Sequence, residues 1–428
     1  MTSGAPGHAQ ATAAGASLRS SSLLVLGPLL LTCLFLFSLS WENAVLVSGL
    51  GTVGRLLGGL AVLGWLLALL GRGRIAKLTT TLALMLAYLL YTAASYFVRL
   101  DLQSSFGTAI TSLQLGVIVL LLWDQVRTRQ HLIAALVSVV AGAYVGVVLT
   151  IVNFLGQQPV RFYERYSGGN FDPNDLGLIL SLSVPLAWWT AKQVRLPALR
   201  WALLSYPLAC LAPLVLTSSR AALIAYAFSL LYVLHDVWFT ASFRPAARLG
   251  LLAALGLGVW TATQLAPDSV ARLSTIGSEL TSGNLNDRRD IWEAAWTLAG
   301  DSPILGLGVG RFADDLAPYF GQAIVAHNTL ITVAVEEGVV GALLFSLYLI
   351  SLLLGVLQMR GSLRPMWLAC LACLAVGTFT LTWNHRKLTW VLPALALCSV
   401  RLSRPAALPG AWAGPAAPQH DPAKEGPA

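Results

Sequence analysis

Twelve apolar runs divide the chain, at about 22–39, 53–70, 79–97, 107–123, 132–155, 175–191, 201–217, 221–237, 249–266, 339–357, 365–383 and 388–400. A helix needs ~20 apolar residues to cross the hydrocarbon core. Inside that core every backbone polar group must be satisfied within the segment or by a closed barrel. Barrel strands are ~10 residues long and alternate in polarity, and these runs do neither. Only 11% of the 428 residues are charged and 56% are hydrophobic, whereas a soluble domain is roughly a quarter charged. The fold class is therefore an all-α integral membrane protein with about 12 transmembrane helices. Most linkers are short, which favours antiparallel neighbours. No internal repeat or inverted duplication of the transporter kind is visible.

Orientation follows from the basic residues. Alternate loops hold Arg72, Arg74 and Lys77; Arg127 and Arg129; Lys192, Arg195 and Arg200; Arg244 and Arg248; Arg360 and Arg364; and Arg401 and Arg404. Such residues mark cytoplasmic loops, so the net charge of +8 does not point to nucleic acid. An even number of spans puts both termini in the cytoplasm, with residues 1–21 and 401–428 as disordered tails. No cleavable signal peptide is evident, so the first run is expected to stay as a helix. Residues 22–266 carry spans one to nine, 267–338 form a large extracytoplasmic loop with short amphipathic helices, and 339–400 carry the last three spans. All five cysteines fall inside apolar runs. Cys370 and Cys373 form a CxxC without a neighbouring His or carboxylate, which reads as small apolar packing.

The same rule isolates Arg161, Arg165, Arg220, Arg288, Arg289, Arg311, Arg386 and Lys387 on the outer side. As a set they point to a bound anion, because a guanidinium fork matches phosphate oxygens. For any one of them, pairing with Glu164, Asp172, Asp287 or Asp290 is the plainer account. Arg220 stands in LTSSRAAL at the junction of two spans, where snorkelling to headgroups is the competing reading. The segment NDRRDIWEAAWTLAGDSP reads as one short helix, capped by Asn286 or Asp287 and ended by Gly300. Arg288 and Trp292 share a face, and Arg289, Trp292 and Trp296 form a neighbouring stripe. That helix is expected to lie on the outer leaflet, either as part of a site or as an interfacial anchor.

The glycines of GLGVGRF (Gly306, Gly308 and Gly310) follow no strand and read as a flexible turn rather than a dinucleotide fingerprint. Of six histidines, only His327 and His385 fall outside, and His327 has arginines for company. An imidazole of ordinary pKa, about 6.5, can accept a proton near neutrality. Asp314–Asp315 and Glu336–Glu337 read as solvated acidic pairs. No ligand spacing or acidic cluster calls for a metal, and no cofactor is expected.

Four stretches in order resemble the O-antigen ligase family of bacterial inner-membrane glycosyltransferases. They are RYSGGNFDPNDLGLIL, LTSSRAALIA, RRDIWEAAWTLAGDSPILGLGVGRF and HNTLITVAVEEGVVGALLF, running from Arg165 to Phe345. The resemblance implies a GT-C-like membrane scaffold. It also implies periplasmic transfer of a glycan from undecaprenyl pyrophosphate to lipid A–core oligosaccharide, without metal or nucleotide. By the motif match Arg220 and Arg288 would hold the pyrophosphate, Arg289, Arg161 and Arg165 would assist, and His327 would be the base. The family arginine stands four residues before the tryptophan, which selects Arg288 from the doublet.

Charge stabilisation of a pyrophosphate leaving group without a metal needs two or more arginines in a shielded site. A sugar hydroxyl is a poor nucleophile and calls for a general base. Attack opposite the leaving group would invert the anomeric carbon. Two other readings compete. Polymerisation of repeat units, or glycan transfer to protein hydroxyls, would use the same scaffold. A transporter or flippase would show ionisable residues deep within spans, and the sequence reads as holding almost none.

Overall fold

The computed structural model describes residues 26–49, 51–98, 104–160, 165–240, 244–274 and 288–404. The expectations for the N-terminal tail, for Arg161 and for the tail beyond residue 404 lie outside the described residues. The first helices are α1 (Leu26–Ser38), α2 (Val53–Arg72), α3 (Thr80–Ala94), α4 (Ser104–Gln125) and α5 (Arg129–Leu155). Next come α6 (Pro173–Ala191), α7 (Pro197–Ala209), α8 (Leu211–Leu216), α9 (Arg220–His235) and α10 (Pro245–Leu265). Three short helices, α11 (Pro267–Ser274), α12 (Arg288–Ala299) and α13 (Phe312–Phe320), precede α14 (Thr329–Leu357), α15 (Leu363–Thr380) and α16 (Leu388–Ser403). Among the described residues the only paired strands form a small hairpin, Leu46–Val47 against Gly51–Thr52.

The protein is an all-α membrane protein. Eight segments among the described residues are long and apolar enough to cross a membrane, and α1, α16 and residues 248–261 are shorter apolar helices. Helix α6 is different in kind: all of its residues but Asn174 are buried. A helix covered on every side has no need of a polar face, and α5, α7, α9 and α15 supply the cover. The run expected at 201–217 divides at Cys210 into α7 and α8, with Pro207 and Pro213 inside the pair. Proline lacks the N–H that would continue the ladder.

Local sequence explains where helices begin. Thr79, Thr128, Asp172, Ser219 and Asn328 each accept a hydrogen bond from a first-turn N–H, satisfying donors the helix cannot use itself. Pro173 and Pro197 occupy first positions, where the missing N–H costs nothing.

The basic loops gather at one end of the bundle. Asp124, fully buried, accepts from Arg72 (2.6 Å), Arg127, the Trp65 indole (2.9 Å) and the Ala76 N–H (3.0 Å). Arg401 lies over the Trp123 ring at 4.0 Å and donates to the Val126 carbonyl, so α16 runs past residue 400 into the segment expected as tail. Lys192 pairs with Asp236 at 2.7 Å. Cys370 and Cys373 are buried free thiols. The Cys373 Sγ reaches the Ala225 carbonyl at 3.1 Å, knitting α15 to α9.

One boundary and one charge assignment need correction. The tenth span begins at Thr329 rather than 339 and breaks at Gly338, which has φ 64° and ψ −164°. Glu336 and Glu337 are 3% and 0% exposed, so they are not a solvated face. Each is held by distant donors. The Phe312 N–H donates to the Glu336 carboxylate at 3.0 Å. The Tyr88 hydroxyl and the Thr92 hydroxyl, both from α3, donate to the Glu337 carboxylate at 3.0 Å each.

Candidate active site

The end of the bundle opposite Asp124 holds the beginnings of α6, α9 and α14. Arg220 is the first residue of α9, directly after its cap Ser219. His327 immediately precedes Asn328, the cap of α14. Asp172 caps α6, its Oδ1 accepting from the Asn174 N–H at 2.8 Å. The Ser219 hydroxyl donates to Asn174 Oδ1 at 2.8 Å and so ties the start of α9 to the start of α6. The Trp383 indole donates to Asp175 Oδ1 at 2.8 Å, and the Trp383 N–H donates to the Thr329 hydroxyl at 2.9 Å, which ties α6 to α14.

Helix α12 brings Arg288. Its Ile291, Ala295 and Ala299 pack with Leu307, Phe312, Leu316, Ala326 and Val335 in a small apolar core of its own. The Trp292 indole donates to the Ala326 carbonyl at 2.8 Å, one residue before His327. This tryptophan thus ties α12, one turn after Arg288, to the residue before His327. Trp296 is the exposed member of the pair.

Arg220, Arg288, His327 and Asp172 lie near enough to perturb one another. Burial, and then the Arg220 guanidinium, pull the Arg288 pKa below its usual value. Burial, and then the Arg288 charge, pull the His327 pKa below the usual histidine value, while the Asp172 carboxylate pushes it up. His327 is therefore a neutral imidazole at neutral pH, able to accept a proton. His385 is buried beside Arg386 and pushed down to about 4, which makes it a far weaker base. Two cations beside helix N-termini make a surface whose charge is suited to an anion. His327 and Ser218, next to the arginine's cap, both carry φ of 48°. Such left-handed non-glycine residues survive only where their surroundings hold them, and they cluster at functional sites.

The remaining outer cations have other employment. Arg289 points away, its side chain 76% exposed and paired with Glu293 at 3.2 Å. Arg311 pairs with Asp315 at 2.5 Å, Arg386 with Asp175 at 2.7 Å, and Lys387 with Glu42. Of the carboxylates expected as partners, Glu164 and Asp287 lie outside the described residues. Arg165 is 4% exposed; its Nε donates to the Thr217 carbonyl at 2.5 Å and its Nη2 to Asn174 Oδ1 at 2.9 Å. Sequence reasoning overlooked Asn174 and treated Asp172 only as an ion-pair partner. The Asp-Pro-Asn run was a visible helix start, but its link to Ser219 spans 45 residues.

The glycine-rich turn is spliced to α14. Leu307 and Gly308 donate their N–H groups to the carbonyls of Val335 and Glu336 at 2.9 and 2.8 Å. Val339 donates back to the Pro303 carbonyl at 2.9 Å. A Cβ on Gly306 would overlap the Glu336 carbonyl, and one on Gly338 would overlap the Ile304 carbonyl. Among the described residues no group of three or more His, Cys, Asp or Glu side chains could hold a metal ion.

Residues 206–346 match the family model described as O-antigen ligase. Over that stretch the chain is similar to the O-antigen ligase family. A search of curated proteins returns no match. The domain spans Arg220, Arg288 and His327, and it begins after Arg165, Asp172 and Asn174. The match supports an O-antigen ligase-type function in broad terms.

Proposed function

We propose that the protein transfers a glycan from undecaprenyl pyrophosphate to lipid A–core oligosaccharide at the periplasmic face of the bacterial inner membrane. The observation that carries this reading is the convergence of Arg220, Arg288 and a neutral His327, with Asp172 beside the histidine. Arg220 and Arg288 hold the donor's pyrophosphate. His327 removes the proton from the acceptor hydroxyl as its oxygen bonds to the anomeric carbon. The carbon–oxygen bond to the pyrophosphate breaks, and undecaprenyl pyrophosphate leaves with the bonding electrons. The two guanidinium groups offset the charge that develops on it, in a site drier than bulk water. Attack from the face opposite the leaving group inverts the anomeric centre. The arginine pair supplies what a divalent cation would otherwise supply, so the reaction proceeds without metal.

Arg289 is exposed, where a long cation reaches the glycan or headgroups, and Arg161 is a further candidate to assist in holding the donor. The gathering of Arg72, Arg127, Arg129, Lys192 and Arg401 away from the site supports a cytoplasmic basic end and a periplasmic catalytic end.

The test is transfer in detergent from undecaprenyl-pyrophosphate-linked glycan to lipid A–core, with and without EDTA, for the native chain and His327→Ala. EDTA-insensitive transfer that is lost in the variant supports the reading. Transfer that survives in His327→Ala removes the histidine as base. If the native chain ignores lipid A–core yet lengthens the donor glycan, the protein is a polymerase.

A further inference from the structure

The segment before α6 and the turn before α9 are joined by a run of hydrogen bonds that ends on Ser219, the residue next to Arg220. The Tyr166 N–H donates to the Leu216 carbonyl at 3.0 Å. Arg165 Nε donates to the Thr217 carbonyl at 2.5 Å. Asn174 Oδ1 accepts from Arg165 Nη2 at 2.9 Å and from the Ser219 hydroxyl at 2.8 Å. The Asp172 cap holds the Asn174 backbone in turn. Between the two gripped residues lies Ser218, with φ 48°. Ser219 also caps α9, accepting from the Ala222 N–H at 3.3 Å.

We propose that Arg165 and Asn174 form a clamp that positions Arg220, and that Arg165 does not itself bind substrate. This rests on the reading of Arg220 as a pyrophosphate ligand. Arg165 is 4% exposed and its fork is committed to Thr217 and Asn174, so a donor phosphate has little of it to touch. An amide oxygen has two lone pairs, and both are used here. What the clamp fixes is where α9 starts. At 3.6 residues per turn, a start displaced by one residue swings the first side chain by about 100°. That displacement would carry the Arg220 guanidinium off the line between donor and His327. The left-handed Ser218 is the part of the turn that relaxes first once its flanks are released. The clamp residues precede the matched family domain, so the family model does not include them.

The experiment uses the purified full-length chain and the same transfer assay, with a thermal melt for every variant. Asn174→Ala is expected to lower kcat/KM for the donor by about 10- to 100-fold, the scale of a small misplacement of a binding group. The KM for the acceptor is expected to stay as in the native chain. Asn174→Asp keeps the accepting oxygen and restores most of that loss. Arg165→Lys keeps the charge but not the fork, and it behaves like Asn174→Ala. Asn174→Ala adds no further loss when Arg220 is already Lys.

The clamp is overturned if Asn174→Ala keeps native donor kinetics, or if Arg165→Lys does. It is equally overturned if the loss from Asn174→Ala is the same in the Arg220→Lys background. Should Asn174→Ala fail to fold, Arg165→Lys and Ser219→Ala carry the same comparison. Arg220→Ala separates the two ideas. If it leaves donor kinetics native, the pyrophosphate reading falls and takes the clamp with it. If it abolishes transfer while the clamp variants do not matter, only the clamp falls.

Discussion

His327 stands between opposite influences, and the balance can be read in solution. Burial and Arg288 lower its pKa and Asp172 raises it. The base form exists above the pKa, so the acid limb of kcat/KM should fall below the ordinary histidine value of about 6.5. Asp172→Asn removes the one influence that raises the pKa and still leaves a good helix cap. A pH–rate profile of that variant should show the limb moved to lower pH, and a limb moved upward would refute the assignment. At this scale the sequence was informative where spacing within one helix decides. Trp292 lies four residues after Arg288, and that register turns Arg288 inward and Arg289 out toward Glu293. It was silent where the partner is far along the chain. Nothing local to Asp172 or Asn174 announces His327 or Ser219.

The elements repeat that pattern. The apolar runs foretold the long helices because periodicity and length are local properties. They misplaced the start of α14 because two adjacent glutamates look solvated when read alone. Their donors are Phe312, Tyr88 and Thr92, and the α3 pair lies about 245 residues away. The flexible turn expected at 306–310 is instead fastened to the break in α14. Gly306→Ala and Gly338→Ala should each cost at least about 2 kcal/mol, from overlap and from a left-handed φ. Gly59→Ala, where a Cβ meets nothing within 4 Å, should be neutral or stabilising by up to about 1 kcal/mol. Thermal melts in detergent compare the three. Trp292→Phe deletes the strut to Ala326, and about 1 kcal/mol of stability with it. Its kcat should fall further than its melting temperature implies, since Arg288 and His327 lose their common brace.

The molecule as a whole has two unlike ends. One is closed by Asp124 and its cations, the other is open at Arg220, Arg288 and His327. Asp124→Ala strands two arginines and an indole, and should cost on the order of 3 kcal/mol without altering donor KM. Membrane-impermeant maleimide offered to intact cells checks the proposed orientation. In a Cys33→Ser background, where the remaining native cysteines at positions 210, 370, 373 and 398 are buried, Arg289→Cys should label at once and Arg74→Cys only after lysis. Label at Arg74→Cys in intact cells would reverse the topology. Charge distribution is what suggests the proposed orientation, whereas nothing in the residues alone announced that α12 and α13 would share a core of their own.

The joint between the glycine-rich turn and α14 is made by main-chain groups: Leu307 to Val335, Gly308 to Glu336, and Val339 to Pro303. Main-chain bonds do not read side chains. Apart from the two glycines, the outward-facing residues near this seam are therefore open to exchange, and Ile304 and Leu305 are already exposed. The stretch from Gly310 to Val325 sits on that seam as a cassette, bounded by the splice at one end and the Trp292 strut at the other. Exchanging its exposed positions while keeping Phe312 and Leu316, which seat α12, would redesign the rim of the site and leave its chemistry in place.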